Sequence, residues 1–374
     1  MQRFEIAVIG AGIAGASVAA RLAQAGKRVA LLDMESQAGY HTTARSAAVF
    51  APSYGPPVIR ALARASKAFF TEPPEGFCTA PLLSPRLIMM LARADQLGSL
   101  EKLKDQVGDD PEVSIIDETK LRGFNPLVRE GYAHSALVDA AGRDIDVGAL
   151  HQGFLKQFKA AGGVVLLKAH ATSLARSGTG WQIDTPVGPI ETETLVNASG
   201  AWADVVGQMA GAEKVDLTPK RRTVAIIGAP EGAEIADYPI TIDIDEQFYL
   251  KPDAGRLLIS PADETASAPC DAQPEEMDIA ICVDRIETAF DLSVRRIENK
   301  WAGLRSFVPD GAPVADYSQQ VENFFWLVGQ GGYGIQTAPA LSEYASAKIL
   351  RRDISEEILE AGVIESDLSI ARLG

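Results

Sequence analysis

Residues 4–15 read Phe4-Glu5-Ile6-Ala7-Val8-Ile9-Gly10-Ala11-Gly12-Ile13-Ala14-Gly15, and the whole fold depends on this run. The apolar residues before Gly10 predict a buried strand, and the small and apolar residues after Gly12 predict a helix. Gly10 permits a tight turn, Gly12 lets the backbone approach a pyrophosphate without a Cβ, and Gly15 lets the helix lie close to the sheet. The unpaired N–H groups at the start of that helix favour phosphate.

A second apolar run, Arg28–Leu32, leads directly to Asp33. A carboxylate at the end of a second strand is placed to accept hydrogen bonds from ribose hydroxyls. Its negative charge also disfavours a 2′-phosphate. Strand, helix and carboxylate in this order and at this spacing predict a dinucleotide site, but they do not separate FAD from NAD.

The composition restricts the class of protein. The chain has 374 residues, 47% of them hydrophobic, which is enough for a large core and two domains. A net charge of −15 argues against a nucleic-acid partner, because the average surface repels phosphates. The three cysteines, Cys78, Cys270 and Cys282, are far apart and predict free thiols rather than disulfides or a metal cluster. With no apolar run of membrane-spanning length and no signal peptide, we expect a cytoplasmic protein without a metal.

Helical spacing is clear in three segments: Ile13–Ala25, the residues after Pro57, and Val147–Phe158, which Asp146 can cap. Further helices are expected near residues 95–107 and 275–290.

Nucleotide-binding patterns recur at three places along the chain. After the first run, Thr194–Trp202 repeats the strand-to-turn pattern, and Phe324–Gly334 leads into a last helix. The segments between them contain many short β-type runs. We therefore expect two interleaved domains: a nucleotide-binding domain of residues 1–79, 145–217 and 303–374, and a substrate-binding domain of residues 80–144 and 218–302.

Four further segments carry a resemblance to a known family: Gly39–Ala48, Pro219–Arg222, Gln247–Gly255 and Trp301–Phe307. Together with the first loop, they resemble the FAD-dependent D-amino acid oxidase and glycine oxidase superfamily, and within it bacterial D-arginine dehydrogenases most. The likeness covers nearly the whole chain. It implies an α/β fold, in which an FAD-binding Rossmann-like domain of the glutathione reductase type is interleaved with an α+β substrate domain built on a mostly antiparallel sheet. It also implies that FAD is bound non-covalently.

The resemblance implies that FAD contacts all three nucleotide-binding segments. The backbone of Ala171 would touch the adenine, and the last helix would direct its N-terminus at the flavin C2 carbonyl, where negative charge grows on reduction. The implied cofactor-binding residues are Gly10, Gly12, Ile13, Ala14, Gly15, Asp33, Met34, Arg45, Ser46, Ala47, Ala48, Val49, Ala171, Ser199, Gly200, Trp202, Gly303, Arg305, Gly331, Gly332, Tyr333, Gly334, Ile335 and Gln336.

The resemblance also implies the catalytic residues. A guanidinium fork grips a carboxylate with two parallel hydrogen bonds, and Arg305 matches the carboxylate-binding arginine of the family. Tyr249 matches its partner hydroxyl, while Arg222 and Tyr54 match other pocket positions. The implied reaction is oxidative deamination of a D-amino acid: hydride passes from Cα to flavin N5, and water hydrolyses the imino acid to a 2-oxo acid and ammonia.

One departure from the D-arginine enzymes changes the expected substrate. Ile88 stands where the relatives have the carboxylate that holds the substrate guanidinium. A buried cation without a partner costs several kcal/mol, so D-arginine is expected to be a poor substrate and neutral apolar D-amino acids better ones. The expected substrate-pocket residues are Val49, Ala51, Ile88, Ile240 and Gly332.

Other functions remain open from the sequence. The same scaffold suits a flavin oxidase or dehydrogenase of secondary amines or imino acids, such as sarcosine, glycine or D-proline derivatives. A flavin-binding protein without turnover and a nicotinamide-dependent dehydrogenase are further alternatives. The expected partner is a small amino acid substrate, and the electron acceptor, oxygen or a quinone or dye, is left undecided.

Overall fold

The structure, a computed structural model, describes residues 2–374 and has a mixed α/β fold. Its helices follow the apolar spacing of the sequence. The α-helices are α1 (Ile13–Gln24), α2 (Pro57–Thr71), α3 (Leu97–Val107), α4 (Glu118–Phe124), α5 (Val147–Ala160), α6 (Ala203–Ala210), α7 (Glu276–Ala289), α8 (Gly334–Ile349) and α9 (Glu356–Glu360). The side chain of Asp146 accepts a hydrogen bond from the N–H of Ala149 at 2.8 Å, which confirms the predicted cap of α5.

The strands are mostly short and form three sheets. They are β1 (Gln2–Ile9), β2 (Val29–Leu32), β3 (Val49–Phe50), β4 (Leu83–Pro85), β5 (Ile88–Ala92), β6 (Val113–Asp117), β7 (Ser135–Asp139), β8 (Arg143–Ile145), β9 (Val164–Leu166), β10 (Ser173–Ser177), β11 (Gly180–Asp184), β12 (Ile190–Asn197), β13 (Thr218–Gly228), β14 (Ile240–Asp243), β15 (Tyr249–Asp253), β16 (Arg256–Ser260), β17 (Thr265–Ala266), β18 (Ile297–Phe307), β19 (Val314–Tyr317) and β20 (Phe324–Val328).

The first sheet has parallel strands in the order β9-β2-β1-β12-β20. Strand β1 lies between β2 and β12: the chain crosses from β1 to β2 on one side, and the later strands β12 and β20 lie on the other. The carboxyl end of such a strand is a topological switch point, where α/β folds bind ligands. Apolar residues of α1, α2, α5 and α8 form one core over this sheet. The β10–β11 hairpin and α6 contribute to a second core that contains Trp181 and Trp326.

The second sheet has nine strands and is mostly antiparallel, with only β5 and β14 running parallel. Its long strand β13, second from one end of the sheet, pairs with β18 on one side and with β16 and β17 on the other. Side chains alternate between the two faces of a sheet. One face packs against α7 through Ile279, Cys282 and Ile286, and the opposite face points to the site described below.

The predicted fold class is confirmed: a parallel nucleotide-binding sheet is interleaved in sequence with a mostly antiparallel one. The exact domain segments stay a prediction, and β18 runs through the expected boundary between residues 302 and 303. A small third sheet, β3-β8-β4, stands apart from the two larger ones. No helix among residues 2–374 has the length and apolar character needed to cross a membrane.

Candidate cofactor and active site

The glycine loop after β1 is closely packed. Gly10 has φ +102°, and a Cβ there would lie 2.3 Å from the carbonyl oxygen of Ala198. A Cβ on Gly15 would lie 1.8 Å from the carbonyl oxygen of Gly10, so α1 could not approach the strand with any larger residue. Both glycines therefore have the steric roles that the sequence predicts.

The Ala11 peptide in this loop is held from both sides. Its N–H donates to Asp33 Oδ2 at 2.8 Å, and its carbonyl oxygen lies 2.9 Å from Nε2 of the buried His151 on α5. Burial lowers the pKa of His151, so the neutral ring is favoured and Nε2–H can donate to the carbonyl. Burial also raises the pKa of Asp33, although its other oxygen accepts from the N–H of Glu35. The loop is thus fixed without help from a ligand.

A cavity of about 580 Å³ begins at this loop and extends between the two large sheets. It is lined by the ends of β1 and β2, residues 39–47, residues 169–171, the turn into α6, β18 and the entry to α8. The predicted cofactor residues that line it are Gly10, Gly12, Ile13, Ala14, Asp33, Met34, Arg45, Ser46, Ala47, Ala171, Ser199, Gly200, Trp202, Gly303, Arg305, Gly331, Gly332, Gly334 and Ile335.

The remaining predicted cofactor residues lie elsewhere. Ala48, Val49, Tyr333 and Gln336 line a smaller neighbouring cavity, and Gly15 lines neither because it faces the strand. Gln336 accepts a hydrogen bond from the N–H of Ala51 at 2.8 Å through its side-chain oxygen. Whether each of these residues touches the cofactor stays a prediction.

Residues that line the large cavity also carry buried polar atoms that lack partners. Among the described residues, buried atoms without a hydrogen bond include His41 Nδ1, Ser306 Oγ and Gln330 Nε2, and all three residues line this cavity. Buried polar groups are rarely left unsatisfied in proteins, so such atoms indicate a ligand with complementary donors and acceptors. The size, the glycine loop at one end and these free polar atoms all fit FAD.

A segment between β17 and α7, residues 267–275, packs against the cofactor-binding segment that contains Arg45 and is called the strap here. Its Asp271 pairs with Arg45, whose guanidinium also donates to the carbonyl oxygens of Ala272 at 3.1 Å and Ala302 at 2.9 Å. The hydrogen bond from Arg45 lowers the pKa of Asp271. Ala272 is buried in a small cluster with Trp202 and β18. Arg45 therefore connects the cofactor-binding segment to the strap.

A smaller cavity of about 120 Å³ adjoins the large one, and residues such as Arg222, Tyr249 and Arg305 line both. The register of the second sheet explains this convergence, because residues directly opposite each other on paired strands share a face. Ile88 is opposite Ile240 and Asp139, Ile242 is opposite Tyr249, and Arg222 is opposite Gly303. Residues from six strands, distant in sequence, thus form one surface.

Arg305 stands where the two cavities meet. Its guanidinium makes no hydrogen bond or ion pair with any residue in the 2–374 range, although most other arginines are paired. A Cβ on Gly332 would lie 2.9 Å from Arg305 Nη1, so this glycine provides the space for the guanidinium. The N–H of Gly331 donates to the carbonyl oxygen of Ser306 at 2.9 Å and holds the two segments together. The site therefore contains a guanidinium fork with all its donors free.

Arg222 is more firmly held and almost completely buried. Its Nε donates to the carbonyl oxygen of Asp263 at 2.9 Å, and Nη2 donates to Glu264 at 3.1 Å. Burial and the neighbouring charge of Arg305 lower its pKa, but a guanidinium stays protonated in proteins. The two cations converge on one region and favour an anionic group there.

Three tyrosines surround the guanidinium groups. Tyr54 donates to Glu246 at 2.5 Å, and its ring lies 5.6 Å from that of Tyr333. Burial, assisted by the charge of Glu246, raises the pKa values of Tyr54 and Tyr333, so both hydroxyls stay protonated at neutral pH. Tyr249 is buried and borders both cavities. The Tyr54 and Tyr333 hydroxyls are therefore not bases, and the proton of Tyr54 is already donated to Glu246.

The smaller cavity is largely apolar. The five predicted pocket residues, Val49, Ala51, Ile88, Ile240 and Gly332, all line it. The alternation along β5 and β14 could have identified two further lining residues, Met90 and Ile242. Sequence reasoning also missed Leu103, Val107, Leu137, Ser53, Asp139, Glu246 and Ala262.

Asp139 places a carboxylate next to Ile88, which the sequence did not indicate. It is 1% exposed, one oxygen accepts from the hydroxyl of Ser53, and the other accepts from the N–H of Ala141 at 2.8 Å. Burial raises its pKa. Each carboxylate oxygen thus already accepts one hydrogen bond from the protein.

Comparison with known proteins identifies the family. The family model described as "DAO: FAD dependent oxidoreductase" matches residues 5–348. Glycine oxidase of Bacillus licheniformis is 22% identical over 382 residues, which cover 99% of this chain and 100% of that protein. The mitochondrial dimethylglycine dehydrogenase of Homo sapiens is 26% identical over 265 residues, covering 66% of this chain but only 30% of that longer protein.

The fold is shared with solved structures at low sequence identity. L-proline dehydrogenase from P. horikoshii superposes with a TM-score of 0.81 at 19% identity, covering 94% of both chains. At this identity the similarity shows the fold alone.

Proposed function

The chain belongs to the DAO family of FAD-dependent oxidoreductases, and we propose that it oxidatively deaminates D-amino acids with neutral, apolar side chains. The free guanidinium of Arg305 at the junction of the two cavities is the observation that supports this most. Arg305 is partly buried, and its N–H donors have no acceptor among the described residues, so they are available to an anionic ligand that supplies the counter-charge. The substrate carboxylate is that counter-charge.

In this proposal each residue of the chain has a defined task. Arg305 binds the carboxylate through two parallel N–H···O bonds, and Tyr249 donates a further hydrogen bond. Arg222 adds positive charge from its fixed position on β13. The apolar smaller cavity receives the side chain and excludes water from the reacting carbon. FAD supplies the hydride acceptor at N5, and the released imino acid is hydrolysed to a 2-oxo acid and ammonia.

Tyr54 and Glu246 are proposed to border the amine end of the substrate. The hydrogen bond between them fixes the Tyr54 ring against Tyr333. No base is needed if the substrate binds as the free amine, because departure of the Cα hydride leaves no proton to remove from carbon.

A second candidate is oxidation of secondary amines or imino acids such as sarcosine, glycine or D-proline derivatives. The names of the relatives favour it, since they include glycine oxidase, dimethylglycine dehydrogenase and L-proline dehydrogenase. All of these substrates are amines that carry a carboxylate, so Arg305 would have the same role. The smaller cavity next to Arg305 has room for either a substrate side chain or a substituent on the amine nitrogen. Its size therefore does not distinguish the two candidate functions.

The test is a panel of compounds mixed anaerobically with the FAD-loaded protein, with flavin bleaching as the readout. We expect D-leucine, D-methionine and D-phenylalanine to bleach the flavin faster than D-arginine, the matching L-amino acids or sarcosine. A kcat/KM for D-arginine above those three would contradict the apolar preference, and bleaching only by sarcosine or glycine would favour the second candidate. No bleaching by any amine would indicate a flavin protein without this activity. Peroxide formation in air then separates oxygen from another electron acceptor.

A further inference from the structure

A sheet face and a helix both contribute to the wall of the smaller cavity. The first is the face of the second sheet, with Ile88 and Ile240. The second is helix α3, which contributes Leu103 and Val107. The helix packs against β5 and β7 on this face, and its apolar side chains form one cluster with those of the sheet.

Helix α3 is attached by hydrogen bonds at both ends. Before its first turn, the side chain of Gln96 donates to Asp243 at 3.1 Å and to Asp245 at 2.9 Å. At its last turn, the carbonyl oxygen of Gln106 accepts from Arg60 at 2.6 Å, and Gly108, with φ +71°, ends the helix. These contacts hold the helix in place without the side chains that face the cavity.

The apolar residues of α3 have different environments. Leu100 is the one residue of this helix that is fully buried, and it packs in the cluster with β5 and β7. Leu103 and Val107 are only partly buried and border the cavity, while Glu101 and Lys102 are exposed. Shortening Leu103 therefore enlarges the cavity instead of removing the main packing contact of the helix.

We infer that Leu103 and Val107 of α3 are specificity-determining residues, which set the longest apolar substituent that a carboxylate-anchored substrate can carry. The inference rests on the proposed function only in using Arg305 as the carboxylate anchor. With that anchor fixed on β18, a longer chain extends across the smaller cavity and meets α3. In an apolar pocket, one methylene that is missing or does not fit changes kcat/KM by roughly 10- to 200-fold.

The test uses D-amino acids of increasing length: D-alanine, D-norvaline, D-norleucine and D-2-aminooctanoate. In Leu103→Ala and Val107→Ala, we expect the kcat/KM ratio of D-2-aminooctanoate to D-norvaline to rise by roughly tenfold or more. In Leu103→Trp, we expect activity on D-norleucine to fall by a similar factor while D-alanine is still oxidised. Lys102→Ala, an exposed change on the same helix, is the matched control and should leave the ratios unchanged.

A second measurement does not depend on turnover. Straight-chain carboxylates from acetate to octanoate are titrated into the FAD-loaded variants, and binding is followed by the change in flavin absorbance. We expect affinity to stop increasing at a longer chain in Leu103→Ala than in the unchanged protein. If this shift is seen but no D-amino acid bleaches the flavin, the inference about α3 is supported and the proposed function is contradicted.

Equal chain-length limits in the unchanged protein, Lys102→Ala and Leu103→Ala would overturn the inference. Flavin content is measured for every variant, and Leu103→Val replaces Leu103→Ala if the latter does not hold the cofactor. Leu103→Val removes one methylene and should shift the limit in the same direction. Absence of a shift in both Leu103→Val and Leu103→Trp would also overturn it.

Discussion

At the scale of single residues, the two arginines of the site, Arg222 and Arg305, differ in their hydrogen-bond partners. Arg222 is satisfied by Asp263 and Glu264, whereas Arg305 has no protein acceptor among the described residues. The two guanidinium groups lie on the same face of β13 and β18. Arg222 is held by its partners and adds positive charge, whereas Arg305 is free to form two parallel hydrogen bonds with a carboxylate. The sequence resemblance assigns both arginines to the substrate pocket, but within the part of the chain that the structure describes only Arg305 has all its donors free to bind a substrate.

Arg305→Ala is expected to raise the substrate KM by about two orders of magnitude, because a charged hydrogen bond in a desolvated pocket contributes about 3 kcal/mol. FAD content should remain normal. Steady-state kinetics with D-leucine, or with whichever amine proves active, measure the effect. Arg305→Lys keeps the charge without the fork and should be intermediate. Lys300→Ala, an exposed change on the same strand, is the control, and an unchanged KM in Arg305→Ala would remove Arg305 from the site.

His151 predicts a pH dependence of stability. Burial holds its folded-state pKa below the ordinary value of 6.5, so the unfolded chain binds a proton that the folded protein does not. The free energy of unfolding should therefore decrease as pH falls below about 6.5, until the folded-state pKa is reached. His151→Gln keeps a donor for the Ala11 carbonyl and should reduce this slope in urea titrations between pH 7.5 and 5.5. The exposed His134→Gln is the control, and equal slopes in His151→Gln and the unchanged protein would contradict the assignment.

At the scale of elements, the strap connects the second sheet to the cofactor-binding segment through its contacts with Arg45. Residues 267–275 follow β17 of the second sheet, while Arg45 belongs to the segment that lines the nucleotide side. The ion pair with Asp271 and the burial of Ala272 hold the strap against this segment. We therefore expect the ion pair between Arg45 and Asp271 to affect FAD binding, although neither residue belongs to the glycine loop.

Asp271→Ala is expected to weaken FAD binding by about fivefold, since a partly exposed ion pair contributes about 1 kcal/mol. The effect should shrink at high salt, because salt screens exposed charges. Titration of the apoprotein with FAD, followed by flavin fluorescence, gives the dissociation constant. Glu365→Ala removes a comparable surface pair with Lys348 far along the chain and serves as the control. A dissociation constant equal to that of the control would show that the strap does not retain FAD.

At the scale of the whole molecule, FAD is expected to act as part of the fold. The large cavity is lined by segments from the start, middle and end of the chain and by β18 of the second sheet. A ligand that binds only the folded state stabilises it in proportion to the logarithm of its concentration.

Removing FAD should therefore lower the melting temperature. At a free FAD concentration of 100 times the dissociation constant, the stabilisation is about 2.7 kcal/mol, and a shift of roughly 5 °C is expected. Differential scanning calorimetry of the apoprotein and the reloaded protein measures it. Added FMN, which lacks the adenosine part, should restore less of the lost stability than FAD. Identical melting temperatures with and without FAD would contradict this role.

The sequence alone determined the dinucleotide loop, because Gly10, Gly12 and Asp33 act through local geometry and fixed spacing. It also identified the fold class, six of the nine α-helices of the described residues, and the family. The residues that line the smaller cavity were only partly predictable from the sequence. Asp139, Leu103 and Val107 reach it through strand pairing and helix packing between segments distant in sequence, and no local pattern encodes that register. The tertiary structure also decided that Arg305 is free while Arg222 is bound, because Asp263 and Glu264, between β16 and β17, reach Arg222 only in the folded chain.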